Sequence, residues 1–328
     1  MTPLSETTPM RRPVISLAKI NFGLIVFIIL YAAIASLQPN YLEAGLFMNF
    51  LRRAAPLIIL AVGQLYVVLT GGFDLSVGAI VTLVVLAASI LINGDPEMTW
   101  PMIGVLYLMG LAVGLVNGLV VTFLKVPSII ATLGTMLLVN GLALAWSGGA
   151  ARGDLPDNFR DLGRFLMRDV WLIGSLPLAV IILLLFLVVA WWGLHGTVYG
   201  KRALAIGDNP RAAELAGLPV AATRIAAFVV SALAAVTAGI LVGGFSGVSV
   251  NAGRGMELQA IAACVIGGAQ LLGGRGSLWS ALFGALSLFA LFTLLNLAGL
   301  PQALRDSIQG VILIAAVGAN AWRDRRKT

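Results

Sequence analysis

From residue 20 to residue 322 the sequence returns again and again to apolar runs of roughly 20 residues, the length a helix needs to cross a hydrocarbon core about 30 Å thick. Lipid offers no partners to backbone amides and carbonyls, so each run must close its hydrogen bonds internally as a helix. The runs fall at 20–37, 54–70, 75–93, 102–124, 127–146, 170–193, 221–245, 257–271, 277–298 and 302–322. The expected fold is therefore an all-α integral membrane protein of about ten transmembrane helices, a single domain over 20–322 between short tails at 1–19 and 323–328. The spans near 75 and 257 begin beside glycine-rich breaks and are expected to be short or partly re-entrant.

Charge is sparse, as such a solvent requires: 11% of residues are charged and 59% hydrophobic, where soluble domains carry about a quarter charged residues. The net charge of +7 does not indicate nucleic acid, because the basic residues sit in short segments between apolar runs and form no stripe with interleaved aromatics. Topology accounts for them. With both termini in the cytoplasm, basic positions 11, 12, 19, 125, 201, 202, 211, 224, 275, 323, 325, 326 and 327 lie inside and the other eight outside, as the positive-inside rule expects. Arg52, Arg53 and the four arginines from Arg152 to Arg168 run against the trend, whereas Asp95, Glu97, Asp154, Asp157, Asp161 and Asp169 fall outside. Arg11, Arg12 and Lys19 precede a first span with no small-residue cleavage site after it, which reads as an anchor helix and not a removed signal peptide.

Reactive side chains are scarce. Cys264 is the one cysteine and lies in the apolar stretch Ile261 to Ile266, so a packing role is expected; His195, the one histidine, follows Trp191 and Trp192 at the end of an apolar run. One of each leaves most metal and nucleophilic chemistry without its parts. No G-x-x-x-x-G-K-[ST] phosphate loop occurs, and Gly200-Lys201-Arg202 lacks both the earlier glycine and the hydroxyl, so the chain is not expected to hydrolyse ATP, to be an enzyme, or to carry a cofactor.

An internal repeat is visible. Leu69-Thr70-Gly71-Gly72-Phe73 followed by Leu75-Ser76-Val77 reads like Leu241-Val242-Gly243-Gly244-Phe245 followed by Val248-Ser249-Val250, and a similar offset brings Pro127 near Pro301. The copies cover about 54–146 and 226–320, five spans apart, and an odd number inverts the second copy in the membrane. Inverted repeats commonly place a pathway at their interface, lined by helices broken near glycines.

Thr70 to Gly78 is the most informative segment. Adjacent Gly71 and Gly72 break a helix and free backbone groups that need protein or water partners. Asp74 and Ser76 after the break either line a polar pathway or cap the next helix. Gly110, Gly114 and Gly118 recur every four residues and predict a close-packing stripe. Asn117, Gln64, Asn140, Asn251 and Gln270 are neutral hydrogen-bonding groups in or near apolar runs, suited to an uncharged polar cargo and equally to interhelical bonds.

The longest inner segment, 194–223, encodes a short helix with its stops: Asn209 or Asp208 as cap, Pro210 at the first position, Gly217 at the left-handed end, Pro219 beyond. Too short to stand alone, it packs on its own membrane domain or docks a soluble partner.

At these residues the sequence resembles the permease subunits of ribose-, xylose- and arabinose-type ABC importers, relatives of the branched-chain amino acid permeases. Four stretches carry the likeness: Leu69 to Gly78, Val126 to Gly134, Tyr199 to Gly217 and Glu257 to Ser277. The resemblance implies a type II importer permease in the bacterial inner membrane, working as a homodimer or with a close paralogue. It implies a separate ATPase with two nucleotide-binding domains, which would bind ATP and magnesium, and a periplasmic sugar-binding protein. By position, Gly71, Gly72, Phe73, Asp74, Ser76, Asn117, Asn140, Phe245 and Asn251 are candidates for the substrate pathway. Tyr199, Gly200, Lys201, Arg202, Asn209, Pro210, Arg211, Ala213, Glu214 and Gly217 are candidates for coupling to the ATPase. Leu278-Trp279-Ser280 departs from the pattern, with Trp279 either narrowing a helix contact or facing lipid. A secondary transporter is the rival reading, weakened by how few ionisable groups lie in the spans, namely Asp74, Glu257 and Asp306. A membrane enzyme lacks a convergent set of acids, bases or ligands.

Overall fold

The computed structural model describes residues 21–170 and 174–301, followed by 303–305, 307, 308, 310, 311, 314 and 318, which are helical. Both tails, with Arg11, Arg12, Lys19 and the basic positions from 323 onward, lie outside the described residues, as do Asp306 and most of the expected span 302–322.

The chain is almost entirely helical. In order come α1 (Phe22–Leu37), α2 (Ala44–Leu69), α3 (Val77–Ile92), α4 (Thr99–Phe123), α5 (Ser128–Ser147) and α6 (Asp157–Arg164). A hairpin of β1 (Leu166–Val170) and β2 (Gly174–Pro177) leads to α7 (Leu178–Trp191), α8 (Val198–Asp208), α9 (Pro210–Leu215), α10 (Val220–Ser246), α11 (Met256–Ile266) and α12 (Leu278–Leu297). Among the described residues six helices are long and apolar enough to cross a membrane, and α1, α3 and α11 are shorter apolar helices. The 11 residues of α11 reach only ~17 Å at 1.5 Å per residue, so nonhelical backbone must continue at membrane depth there and be served by protein.

The middle of the bundle is α2 against α10. Every residue of α2 from Ala54 to Leu69 is buried, while α5 and α7 turn apolar faces such as Leu137, Leu138, Leu184 and Leu185 outward, as lipid-facing helices do. Small residues let the central helices approach. A Cβ on Gly114 would stand 2.9 Å from the Phe228 carbonyl oxygen of α10, and Gly110 and Gly118 meet Val236 and Ile225 of the same helix, so the predicted stripe is the α4–α10 seam. Cys264 packs in the core and donates its thiol to the Ala61 carbonyl at 3.2 Å. Trp279 is 51% exposed and stacks on Phe283, leaving Ser280 to make the close contact with Gly267.

Two expectations need correction. The span expected at 170–193 begins only at Leu178; Arg168 and Asp169, which resist entry into lipid, join a two-stranded hairpin in which Leu166 faces Pro177, so the fold is not purely helical. The helix expected from residue 54 starts at Ala44, placing Arg52 and Arg53 inside it; Arg52 Nη1 donates to the Arg164 carbonyl at 3.3 Å, so both stay at the hairpin end. Gly243-Gly244 lie inside a helix, within the span expected at 221–245. Gly244 abuts Gly163 of α6, where side-chain-free surface permits contact, and α10 runs on to Ser246 before a nonhelical segment at 247–255.

Each half thus has a long helix, a nonhelical segment and a short helix: α2, 70–76, α3, and then α10, 247–255, α11. One end of the bundle carries α6 and the hairpin, tied to the 93–98 turn by Gly94 N donating to the Asp154 carbonyl at 3.0 Å. The opposite end carries α8, α9, the 124–127 turn and the 267–277 loop.

Candidate functional site: a broken helix and a glycine junction

The break after α2 follows from its sequence. Thr70 Oγ1 folds back onto the Val67 carbonyl at 2.8 Å, and Gly71 adopts φ +80, a conformation that costs a residue with a Cβ 1 kcal/mol or so. The freed backbone of 73–76 is then served almost group by group. Phe73 N donates to Ser128 Oγ at 3.0 Å and Leu75 N to Thr132 Oγ1 at 3.0 Å. The Gln64 amide, oriented to suit, grips the backbone of Asp74 on both sides: Oε1 accepts from Asp74 N and Nε2 donates to Asp74 O, each at 3.1 Å.

The side chains extend this network sideways. Asp74 Oδ1 accepts from Ser76 N at 3.0 Å and from Ser76 Oγ at 2.6 Å, an Asx-type turn that starts α3. Asn117 Nδ2 of α4 donates to Ser76 Oγ at 2.9 Å, and Thr135 Oγ1 of α5 donates to Asn117 Oδ1 at 2.6 Å. Asp74 Oδ2 is left without a hydrogen bond of good geometry, next to Ser231 Oγ of α10 in the same condition. Asp74 and Ser76 are both fully buried, so in this conformation they build the turn and do not open onto a cavity.

Of the nine pathway candidates the structure brings Gly71, Gly72, Phe73, Asp74, Ser76 and Asn117 together in this one region. Asn140 lies farther along α5, Phe245 packs on the core from the last turn of α10, and Asn251 is exposed in the second nonhelical segment, with its N–H on Ser249 Oγ at 3.2 Å. That segment returns to touch α3: Gly253 N donates to Thr82 Oγ1 at 3.0 Å, and the Glu257 carboxylate lies against Gly78. The sequence reading missed Ser128, Thr132 and Thr135. Their spacing puts three hydroxyls on one face of an otherwise apolar helix, which is the signal that could have found them.

The opposite end is organised by α8 and α9. The last turn of α7 opens into a π turn at Trp192–Gly196, where Gly193 makes room for the Tyr66 hydroxyl, which donates to the Ala190 carbonyl at 2.7 Å. His195 stacks on Trp191 with centroids 5.4 Å apart, a surface position. Thr197 caps α8, and Tyr199 stacks on Tyr66 at 5.4 Å; burial pushes its phenol above the ordinary range, so it stays neutral. Gly200 presses on the Leu194 carbonyl, and Lys201 and Arg202 follow on the outer side. Of the two possible caps Asn209 is the one used, its Oδ1 accepting from Ala212 N at 3.0 Å. In α9 Ala213 faces inward, Pro210, Arg211 and Glu214 are exposed, and Gly217 at φ +75 ends the helix.

α8, the break and the 267–277 loop meet at backbone level. Gly274 N donates to the Leu69 carbonyl at 3.1 Å, and a Cβ on Gly207 would collide with that same carbonyl and with Gly274 N. A Cβ on Gly273 would stand 2.8 Å from Gly71 N. α8 and the end of α2 therefore meet main chain to main chain, with no side chain between them. Beside this junction a cavity of about 600 Å³ opens between the break, the start of α5, α9 and the start of α10, with Gly71 and Gly72 on its wall. Among the described residues no three His, Cys, Asp or Glu side chains converge as metal ligands.

Comparison with known proteins agrees on one family. Residues 46–317 match the family model described as "Branched-chain amino acid transport system / permease component". The chain is 37% identical over 289 residues to the Autoinducer 2 import system permease protein LsrC of Enterobacter sp. (strain 638), covering 88% of this chain and 82% of that one. It is 36% identical over 296 residues to the protein of the same name from Escherichia coli (strain K12 / DH10B), covering 90% and 84%, and 34% identical over 296 residues to that of Yersinia pseudotuberculosis serotype O:1b (strain IP 31758), covering 90% and 82%. No solved structure matches the chain.

Proposed function

This chain belongs to the branched-chain amino acid transport system permease family, and from that membership we propose that it forms half of the membrane channel of a bacterial ABC importer for a monosaccharide or a sugar-sized ligand. Its working partners are a second permease copy or close paralogue, a separate ATPase with two nucleotide-binding domains, and a periplasmic binding protein. The cargo is a pentose, a hexose or a related sugar; autoinducer 2, which its relatives are named for importing, is a further candidate. Both termini face the cytoplasm, so α8 and α9 meet the ATPase, and the two halves act as inverted repeats around a pathway beginning at the break.

The observation that carries this reading is the backbone junction joining α8 to the break, since an importer whose ATP site lies on another subunit must convert motion at its surface into motion at a pathway. Reconstituted with its partners in liposomes, the permease is expected to accumulate labelled sugar only when ATP is supplied on the α9 side. Accumulation by this chain alone under an ion gradient would replace the reading with a secondary transporter.

A second expected outcome concerns α9. Replacing Ala213 by proline removes an amide that donates to the Asn209 carbonyl at 3.0 Å, at a cost of roughly 3 kcal/mol that a six-residue helix cannot absorb. Glu214→Lys reverses a charge on the exposed face and leaves helix propensity nearly unchanged. The proline variant should insert in the membrane but fail to assemble with or stimulate the ATPase, the lysine variant being milder. Normal sugar-stimulated hydrolysis with Ala213→Pro would show that α9 is not the coupling element.

A further inference from the structure

The cavity beside the junction is too strongly charged for an uncharged sugar alone. Its wall carries the cationic side chains Lys125, Arg211 and Arg224 against one carboxylate, Glu214, which pairs with Arg211 at 3.6 Å. Among the described residues neither Lys125 nor Arg224 forms an ion pair, although Arg224 is half-buried on α10.

The backbone adds to the field. α5 and α10, 20 and 27 residues long, both begin at this cavity, and their first turns carry no side-chain cap, with Pro127 and Pro219 in the cap positions. Val220 N already donates to the Leu218 carbonyl at 2.8 Å and Ile130 N to the Pro127 carbonyl at 3.0 Å; the remaining first-turn amides, together with the helix dipole, favour an anion in front of them. A concave volume of about 600 Å³ suits a small molecule rather than a protein segment.

We propose that this cavity binds a phosphate-bearing anion at the end of the permease that carries α9. Arg224 supplies a planar pair of donors to the phosphate oxygens, Lys125 a point charge, and the starts of α5 and α10 the backbone amides. The phosphate comes either from a soluble phosphate ester or from the headgroup of an acidic phospholipid; both present the same oxygens. The site borders the pathway proposed above, with Gly71 and Gly72 on its wall, but does not depend on which cargo passes.

The test uses the full-length chain in nanodiscs. In discs of phosphatidylcholine alone, glucose 6-phosphate should raise the thermal midpoint saturably while glucose does not. Arg224→Gln should weaken that binding at least tenfold, Lys125→Gln severalfold, and Arg224→Lys, which keeps the charge but loses the planar pair of donors, should fall between wild type and Arg224→Gln, which separates loss of charge from loss of fold. If the source is lipid, glucose 6-phosphate has no effect, but phosphatidylglycerol from mixed discs stays bound in native mass spectrometry of the wild-type chain and is lost from Arg224→Gln. Binding of neither probe, or binding of either that is indifferent to both Arg224→Gln and Lys125→Gln, overturns the proposal. So does a phenotype of Arg224→Gln confined to assembly with a protein partner.

Discussion

Gly207→Ala is expected to abolish coupled transport, with at least a tenfold loss, in a protein that still inserts. Two effects oppose each other at this position. Alanine favours the α8 helix over glycine by about 1 kcal/mol. The added methyl group, however, collides with the Leu69 carbonyl and Gly274 N, and both are main-chain atoms that cannot rotate aside. Overpacking typically costs ~1–3 kcal/mol, and here separating the partners also strains the Gly274 N to Leu69 carbonyl hydrogen bond, so the steric effect wins. Gly104→Ala in α4 is the control, because a Cβ there meets nothing within 4 Å and only the helix-favouring effect remains. Thermal unfolding in detergent should show Gly207→Ala several degrees less stable and Gly104→Ala unchanged or slightly more stable. Equal behaviour of the two would show that the junction is not tightly packed.

Asp74→Ala is expected to be the most destabilising substitution in the break. It leaves the Ser76 amide and hydroxyl without their acceptor in a site that water does not reach, and each buried unsatisfied donor costs about 1–3 kcal/mol. The bond that Ser76 Oγ accepts from Asn117 is present in both proteins and offsets nothing, so over the two donors a total of ~2–6 kcal/mol is expected. Asp74→Asn keeps an oxygen at the Oδ1 position and should lose less than half as much. The ratio of intact to aggregated protein after heating, followed by size-exclusion chromatography, measures both. An alanine variant as stable as wild type would mean that the turn holds without its carboxylate.

What the sequence made legible was whatever depends on local rules. The glycine spacing in α4 predicts a seam and finds one, because any helix with side-chain-free positions every four residues presents them on a single face. Asn209, Pro210 and Gly217 mark the start and end of α9 through local backbone chemistry. Less visible was anything settled by a partner distant in sequence. The double glycine at 71 breaks its helix while that at 243 does not, because the second finds Gly163 of α6 to pack against, and the same two letters describe both. Gln64 looked like one neutral amide among several; only its position opposite the Asp74 peptide gives it a task. The junction of Gly207, Gly273 and Gly274 joins segments some 70 residues apart and leaves no pattern in either.

The side-chain service of the break also sets a schedule for biogenesis. Gln64 is made before Asp74 and can hold its peptide as soon as α2 and α3 are hairpinned, whereas Ser128 and Thr132 leave the ribosome 55 and 57 residues after the amides they serve, roughly 3–12 s at ordinary synthesis rates. During that interval the amides of Phe73 and Leu75 have no hydroxyl to meet, and lipid cannot substitute. The nascent hairpin must therefore wait in a wet or chaperoned place, beside the insertion machinery or at the headgroup layer, until α5 arrives and lets it sink.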